Sequence, residues 1–163
     1  MRVSPCGWLY ETLERTREVA RAVTEVTHNH PEGIKGGECT AAVIYLARTG
    51  ASKDEIRTYV QEHFGYDLSR TVDELRPIHK HDESCQDTMP KALVSFFEGT
   101  DFEDVVRNAV SLGGDTDTIG AIAGSMAEAF YGIPEELAEA GKRYLTEEIT
   151  RMAASFYMRT PKN

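Results

Sequence analysis

The sequence predicts an all-α protein, a compact multi-helix bundle, on three observations. Apolar residues recur at helical spacing along most of the chain, and capping and stopping residues punctuate that pattern. No stretch alternates with period two for long enough to argue for a sheet. With 163 residues the chain fits one domain, large enough to bury on the order of 70% of its unfolded surface. That domain is expected over residues 1–158, with residues 159–163 as a frayed tail.

In chain order, Met1 to Pro5 is too short to form an element, and Trp8 to Val26 reads as the first helix, with Leu9, Leu13, Val19, Ala20 and Val23 at helical spacing. Pro31 disfavours helix at His30 and breaks the chain there. The second helix runs from about Ile34 or Gly37 to Arg48, with Gly50 able to close it. Ser52 with Glu55 forms a capping box for a third helix carrying Ile56, Tyr59, Val60 and Phe64, ended by Gly65. Thr71 with Glu74 repeats the box for a short turn before Pro77. Pro90 suits an early helical position, with Gly99 as terminator. Asp101 caps the next helix, whose apolar face is Phe102, Val105, Val106, Ala109 and Val110. A helix from about Asp117 to Tyr131 follows. Pro134 starts a last helical region reaching about Tyr157, with a division near Gly141 or Thr146. The count is about seven or eight helices, without internal repeats.

A net charge of −9 argues against non-specific binding to nucleic acid or anionic membrane. It leaves room for a small phosphate-bearing ligand, which local backbone donors can hold. No run of about 18 apolar residues marks a membrane span, and no signal peptide is recognisable. Cys6, Cys39 and Cys85 are odd in number and lack CxxC spacing, so they read as reduced thiols of a cytoplasmic protein.

The chemistry concentrates in Gly113-Gly114-Asp115-Thr116-Asp117-Thr118. Two glycines free the backbone, two carboxylates follow at i and i+2, and a small-residue apolar helix comes next. Dense carboxylates and hydroxyls beside a core suit a hard cation such as Mg2+ or Ca2+, which takes oxygen ligands. The plainer reading is a helix start, with Asp117 as N-cap and Asp115 adding about 0.3–1 kcal/mol through the helix dipole. An Asp-x-Asp phosphatase nucleophile is the competing enzyme reading, but that motif follows a buried strand, whereas Val105 to Leu112 has helical periodicity. An EF-hand fails because the residues after Asp117 are apolar. A second cluster, His79, His81, Asp82 and Cys85, has zinc-ligand types, against the alternative of a polar surface loop. His28, by itself, is a residue at a helix C-terminus, favourable there when protonated.

The run Gly113 to Ile119, the small-residue helix and Tyr131-Gly132-Ile133-Pro134 resemble the C-terminal signature of the ADP-ribosylglycohydrolase family. Met1-Arg2-Val3-Ser4-Pro5, Thr27-His28 with Pro31, and Phe102-Glu103-Asp104 agree with it in order. The resemblance implies an all-α bundle around a pair of Mg2+ ions, with Asp115, Asp117 and Thr118 as metal ligands and Asp115 and Asp117 as the catalytic carboxylates. It implies that His28, Gly113, Gly114 and Thr116 lie against the ADP-ribose. The reaction it implies is hydrolysis of the C1″ bond from ADP-ribose to an acceptor such as arginine, on an ADP-ribosylated protein or a small ADP-ribose conjugate. A two-metal site orients ribose hydroxyls and activates water, and an oxocarbenium-like transition state gains from nearby negative charge.

Family members also carry a preceding segment with Gly-Asp-Ala-x-Gly and Thr-Asp-Asp-Thr elements, which supply the other metal ligands. Neither element occurs in this sequence. Met1 resembles an internal methionine of the family's Asn-Gly-x-Ala-Met-Arg segment. The expectation is therefore the C-terminal portion of the family fold, truncated, with half of the metal site. The alternative is a non-catalytic ADP-ribose-binding or structural relative. Helix faces left uncovered by missing N-terminal helices predict self-association or pairing with a complementing N-terminal fragment.

Overall fold

A computed structural model of the chain describes residues 1–78 and 82–160. Among them are ten α-helices, one 3-10 turn and no strand, which is the expected class. The order is α1 (Ser4–Leu9), α2 (Leu13–Glu25), α3 (Pro31–Arg48), α4 (Lys53–Phe64), α5 (Val72–Leu75), a 3-10 turn (Arg76–Ile78), α6 (Cys85–Glu98), α7 (Phe102–Ser111), α8 (Thr116–Tyr131), α9 (Glu135–Lys142) and α10 (Glu147–Tyr157). None of these helices is long and apolar enough to cross a membrane.

Helix α3 is the axis of the bundle, packed against α1, α2, α4, α6 and α8. Its residues Cys39, Ala41, Ala42, Val43 and Ile44 are wholly buried. A helix packed against five others has little polar face to set a period, so its start is hard to read from spacing. It begins at Pro31, earlier than expected, with His30 as N-cap: the His30 ring accepts the Glu32 N–H at 3.2 Å. Pro31 occupies the first helical position, where a missing N–H costs nothing. The core continues through Ile56 and Val60 of α4, Leu93 and Phe96 of α6, Val105 of α7, and Ile119 and Met126 of α8.

Other expectations change. The first long helix is two: Ser4 and Pro5 belong to α1, and Thr12 caps α2 by accepting the Arg15 N–H at 3.2 Å. The buried Arg48 holds the break, donating to the Gly7 carbonyl at 2.6 Å and to the Tyr10 carbonyl. These are carbonyls that the end of α1 leaves without helical partners. Helix α6 starts at Cys85 rather than near Pro90, capped by Ser84, and carries Pro90 inside it. The last helical region divides at Arg143–Thr146, as expected, and Thr146 caps α10. Both capping boxes form as read, at Ser52–Glu55 and Thr71–Glu74. Residues 159 and 160 turn back on the end of α10 through the Thr160 hydroxyl, which donates to the Tyr157 carbonyl at 3.0 Å.

Helices α9 and α10 contain no buried residue. Tyr144 is 90% exposed and Met152 66%. The Tyr157 hydroxyl ties α10 back by donating to Glu128 on α8 at 2.5 Å.

Candidate active site

The N-terminal ends of α3, α6 and α8 meet around one cleft of about 480 Å3. Asp115 and Thr118 come from the start of α8, Thr24 from the end of α2, His28 from the loop that follows it, and Cys85, Thr88 and Met89 from the first turns of α6. Arg2 and Val3, just before α1, close one side. A smaller hollow continues from it past His28 towards His30 and Gln86.

Helix α3 brings these walls together because it offers glycine where they touch. A Cβ on Gly37 would stand 2.2 Å from Thr24 Oγ1, and one on Gly33 would stand 2.8 Å from the His28 carbonyl oxygen. A Cβ on Gly36 would approach Met89 at 3.1 Å. These glycines lie at i, i+3 and i+4, on one face of the helix. That spacing is in the sequence and is the signal that could have pointed to the cleft. His28 itself is exposed, with its Nδ1 2.7 Å from the Thr27 hydroxyl.

The acidic turn is made by Gly113 and Gly114, at φ 71° and 74°, a left-handed pair that side chains resist. Asp115 then stands at the N-cap position of α8, where Asp117 was expected. Asp115 makes no capping hydrogen bond. Asp117, one residue into the helix, is exposed. Its carboxyl is held below the usual carboxylate range, first by its interaction with the neighbouring Asp115 carboxyl and then by the Thr118 N–H, which donates to it at 2.9 Å.

Of the residues singled out from sequence, the structure brings His28, Asp115 and Thr118 to the cleft wall. Gly113, Gly114, Thr116 and Asp117 stand outside its lining and shape the turn behind it; the Thr116 N–H donates to the Gly114 carbonyl at 2.8 Å. Thr88, Thr24 and the glycine face of α3 are cleft features that sequence reading missed.

The donor set fits a hard cation in kind: two carboxyls and a hydroxyl from one turn, all oxygen. Among the described residues no group of three or more His, Cys, Asp or Glu side chains gathers as a metal cluster. Of the zinc-type cluster, His79 and His81 lie outside the described residues, and Asp82 accepts the Ser84 N–H at 2.8 Å. The strand that a phosphatase Asp-x-Asp requires is replaced by α7. The three cysteines are free thiols, and burial pushes those of Cys6, Cys39 and Cys85 up.

Comparison with known proteins gives a consistent result. The family model described as ADP-ribosylglycohydrolase matches residues 1–163. A protein of Archaeoglobus fulgidus is 31% identical, over 99% of this chain and 59% of its own length. The ADP-ribosylarginine hydrolase Tri1 of Pseudomonas putida is 27% identical, over 85% of this chain and 39% of its own. A solved structure titled ADP-ribosylglycohydrolase-related protein complex superimposes with a TM-score of 0.70 at 29% identity, covering 94% of this chain and 56% of that one. The chain thus spans roughly two-fifths to three-fifths of the length of these relatives.

Proposed function

The chain belongs to the ADP-ribosylglycohydrolase family, and we propose that its cleft holds the ADP-ribose group of a conjugate for hydrolysis at C1″. One observation carries this reading: His28, Asp115 and Thr118, from distant parts of the chain, converge on one cleft. Asp115, Asp117 and Thr118 would hold Mg2+ through oxygen. When bound, the metal would supply orientation of the ribose hydroxyls and a more acidic water. The Asp115 carboxylate, at the cleft wall, puts negative charge beside a carbon that becomes cationic in the transition state. His28 offers a ring nitrogen on another wall, able to hydrogen-bond a phosphate or ribose oxygen. Gly113 and Gly114 fix where the carboxylates stand, and Thr116 holds the turn closed. The partner is an ADP-ribosylated protein, with arginine as the acceptor that Tri1's name suggests, or a small ADP-ribose conjugate. Nucleic acid and membrane are disfavoured by the charge of −9, and the compartment that fits is the cytoplasm.

The second reading is a non-catalytic ADP-ribose binder. It is favoured by the donor count, since three side chains from one turn fall short of the roughly six ligands a magnesium ion takes. The exposed apolar residues of α9 and α10 support self-association, or a complementing N-terminal fragment that brings further ligands. The test is release of ADP-ribose from ADP-ribosyl-arginine by this chain, with Mg2+ and with a chelator. Metal-dependent release supports the enzyme, binding without release supports the binder, and neither one sinks both.

A further inference from the structure

Three buried side-chain polar atoms among the described residues have no hydrogen-bond partner: Thr16 Oγ1, Tyr66 Oη and Thr88 Oγ1. Of these residues Thr88 lines the cleft, and it is only 4% exposed. Other buried helical hydroxyls, those of Thr24, Thr40 and Ser95, are satisfied within their own helices. Thr24 donates to the Ala20 carbonyl at 2.7 Å, Thr40 to Gly36 at 2.9 Å and Ser95 to Lys91 at 2.8 Å. Each uses the carbonyl four residues back, the usual internal outlet for a helical threonine or serine.

The first turn of α6 closes that outlet to Thr88. The carbonyl four residues back is that of Ser84, and it already accepts two N–H groups, from Asp87 at 3.2 Å and from Thr88 at 3.0 Å. A carbonyl oxygen has two lone pairs, so the Thr88 hydroxyl is left with no acceptor there. Its neighbours give no substitute: the nearby Met89 sulfur accepts from Thr40 at 3.5 Å. A buried hydroxyl without a partner is costly, and a valine of the same shape would avoid the cost. Glycine at position 36 keeps α3 close against this same turn, beside Cys85 and Met89, so the unsatisfied group is held at the cleft wall.

We propose that Thr88 is a ligand-binding residue of the cleft, its hydroxyl donating to a phosphate or ribose oxygen of the bound ADP-ribose group. This rests on the ADP-ribose reading above and adds an affinity determinant from α6, on a wall separate from the acidic turn. The test titrates free ADP-ribose calorimetrically into the full chain with Mg2+ present, alongside thermal unfolding without ligand. Thr88→Val is expected to weaken binding about tenfold, the equivalent of ~1.4 kcal/mol, while its Tm without ligand stays level or rises. Thr88→Ser should restore the affinity, and Thr88→Ala, read in the same way, stands in if the valine variant is poorly packed. Unchanged affinity in both hydroxyl-free variants, or a fall in both their Tm values that serine reverses, overturns the proposal, the second because the hydroxyl would then have a partner inside the protein. A folded wild-type chain that takes up no ADP-ribose overturns the ADP-ribose reading first and this inference with it, a result distinct from equal binding by wild type and variant.

Discussion

Asp101 and Asp115 hold the same N-cap position in successive helices, α7 and α8, and do opposite things. Asp101 approaches through extended backbone and accepts the Asp104 N–H at 2.8 Å, a local capping bond. Asp115 follows two left-handed glycines, makes no capping bond, and stands in the cleft wall. The residue type is the same, and the difference lies in the two preceding left-handed glycines, after which the carboxylate lines the cleft instead of capping the helix. A side chain released from capping at a helix N-terminus is where a functional carboxylate is to be expected.

The sharpest way to break this contrast is to remove each carboxylate in turn. Asp115→Ala should lower Mg2+-dependent release of ADP-ribose at least about a hundredfold while moving stability by no more than about 0.5 kcal/mol. Asp101→Ala should reverse the pattern, costing about 1 kcal/mol in denaturant unfolding with release unchanged. If both variants lose stability alike, Asp115 is a cap and the contrast is gone.

The glycine pair can be probed next. Gly114→Ala forces a side chain to φ 74° and should cost about 1–2 kcal/mol. It should also weaken ligand binding, because the turn that presents Asp115 must shift. A variant as stable as wild type would show that the turn has an alternative backbone path.

The smallest effect concerns ordinary capping, the reference against which Asp115 departs. The Ser52 hydroxyl and N–H hold the Glu55 carboxyl below its ordinary value of 4.5. A depressed folded value means stability that is present above pH 4.5 and lost as pH falls through the folded value. The Tm difference between wild type and Glu55→Gln should therefore narrow below pH 4.5. A difference that stays constant with pH would remove the ionised carboxylate from the cap.

What was legible in the sequence was local. The two capping boxes, the Asp101 cap and the Gly65 stop each involve residues a few positions apart, and each forms as read. The start of α3 was not legible, because a helix packed against five others carries little amphipathic phase and Pro31 marks a beginning as readily as a break. The split between α1 and α2 was hidden for a different reason: its stabilising partner, Arg48, is far along the chain. Within the site, the Gly113–Thr118 motif announced itself, and family resemblance attached His28 to it. That His28, Asp115 and Thr118 share one cleft depends on how α2, α3, α6 and α8 pack, and spacing alone does not encode that. Thr88 was invisible, since its significance lies in a saturated carbonyl rather than in a motif.

The absence of buried residues in α9 and α10 gives the molecule a graded resistance to opening. Detaching α10 breaks the Tyr157–Glu128 hydrogen bond and exposes little apolar surface that was not already wet. Backbone amides there are therefore expected to exchange with deuterium through cheap local openings. The central amides of α3, beside wholly buried Val43 and Ile44, should exchange only when the bundle itself comes apart.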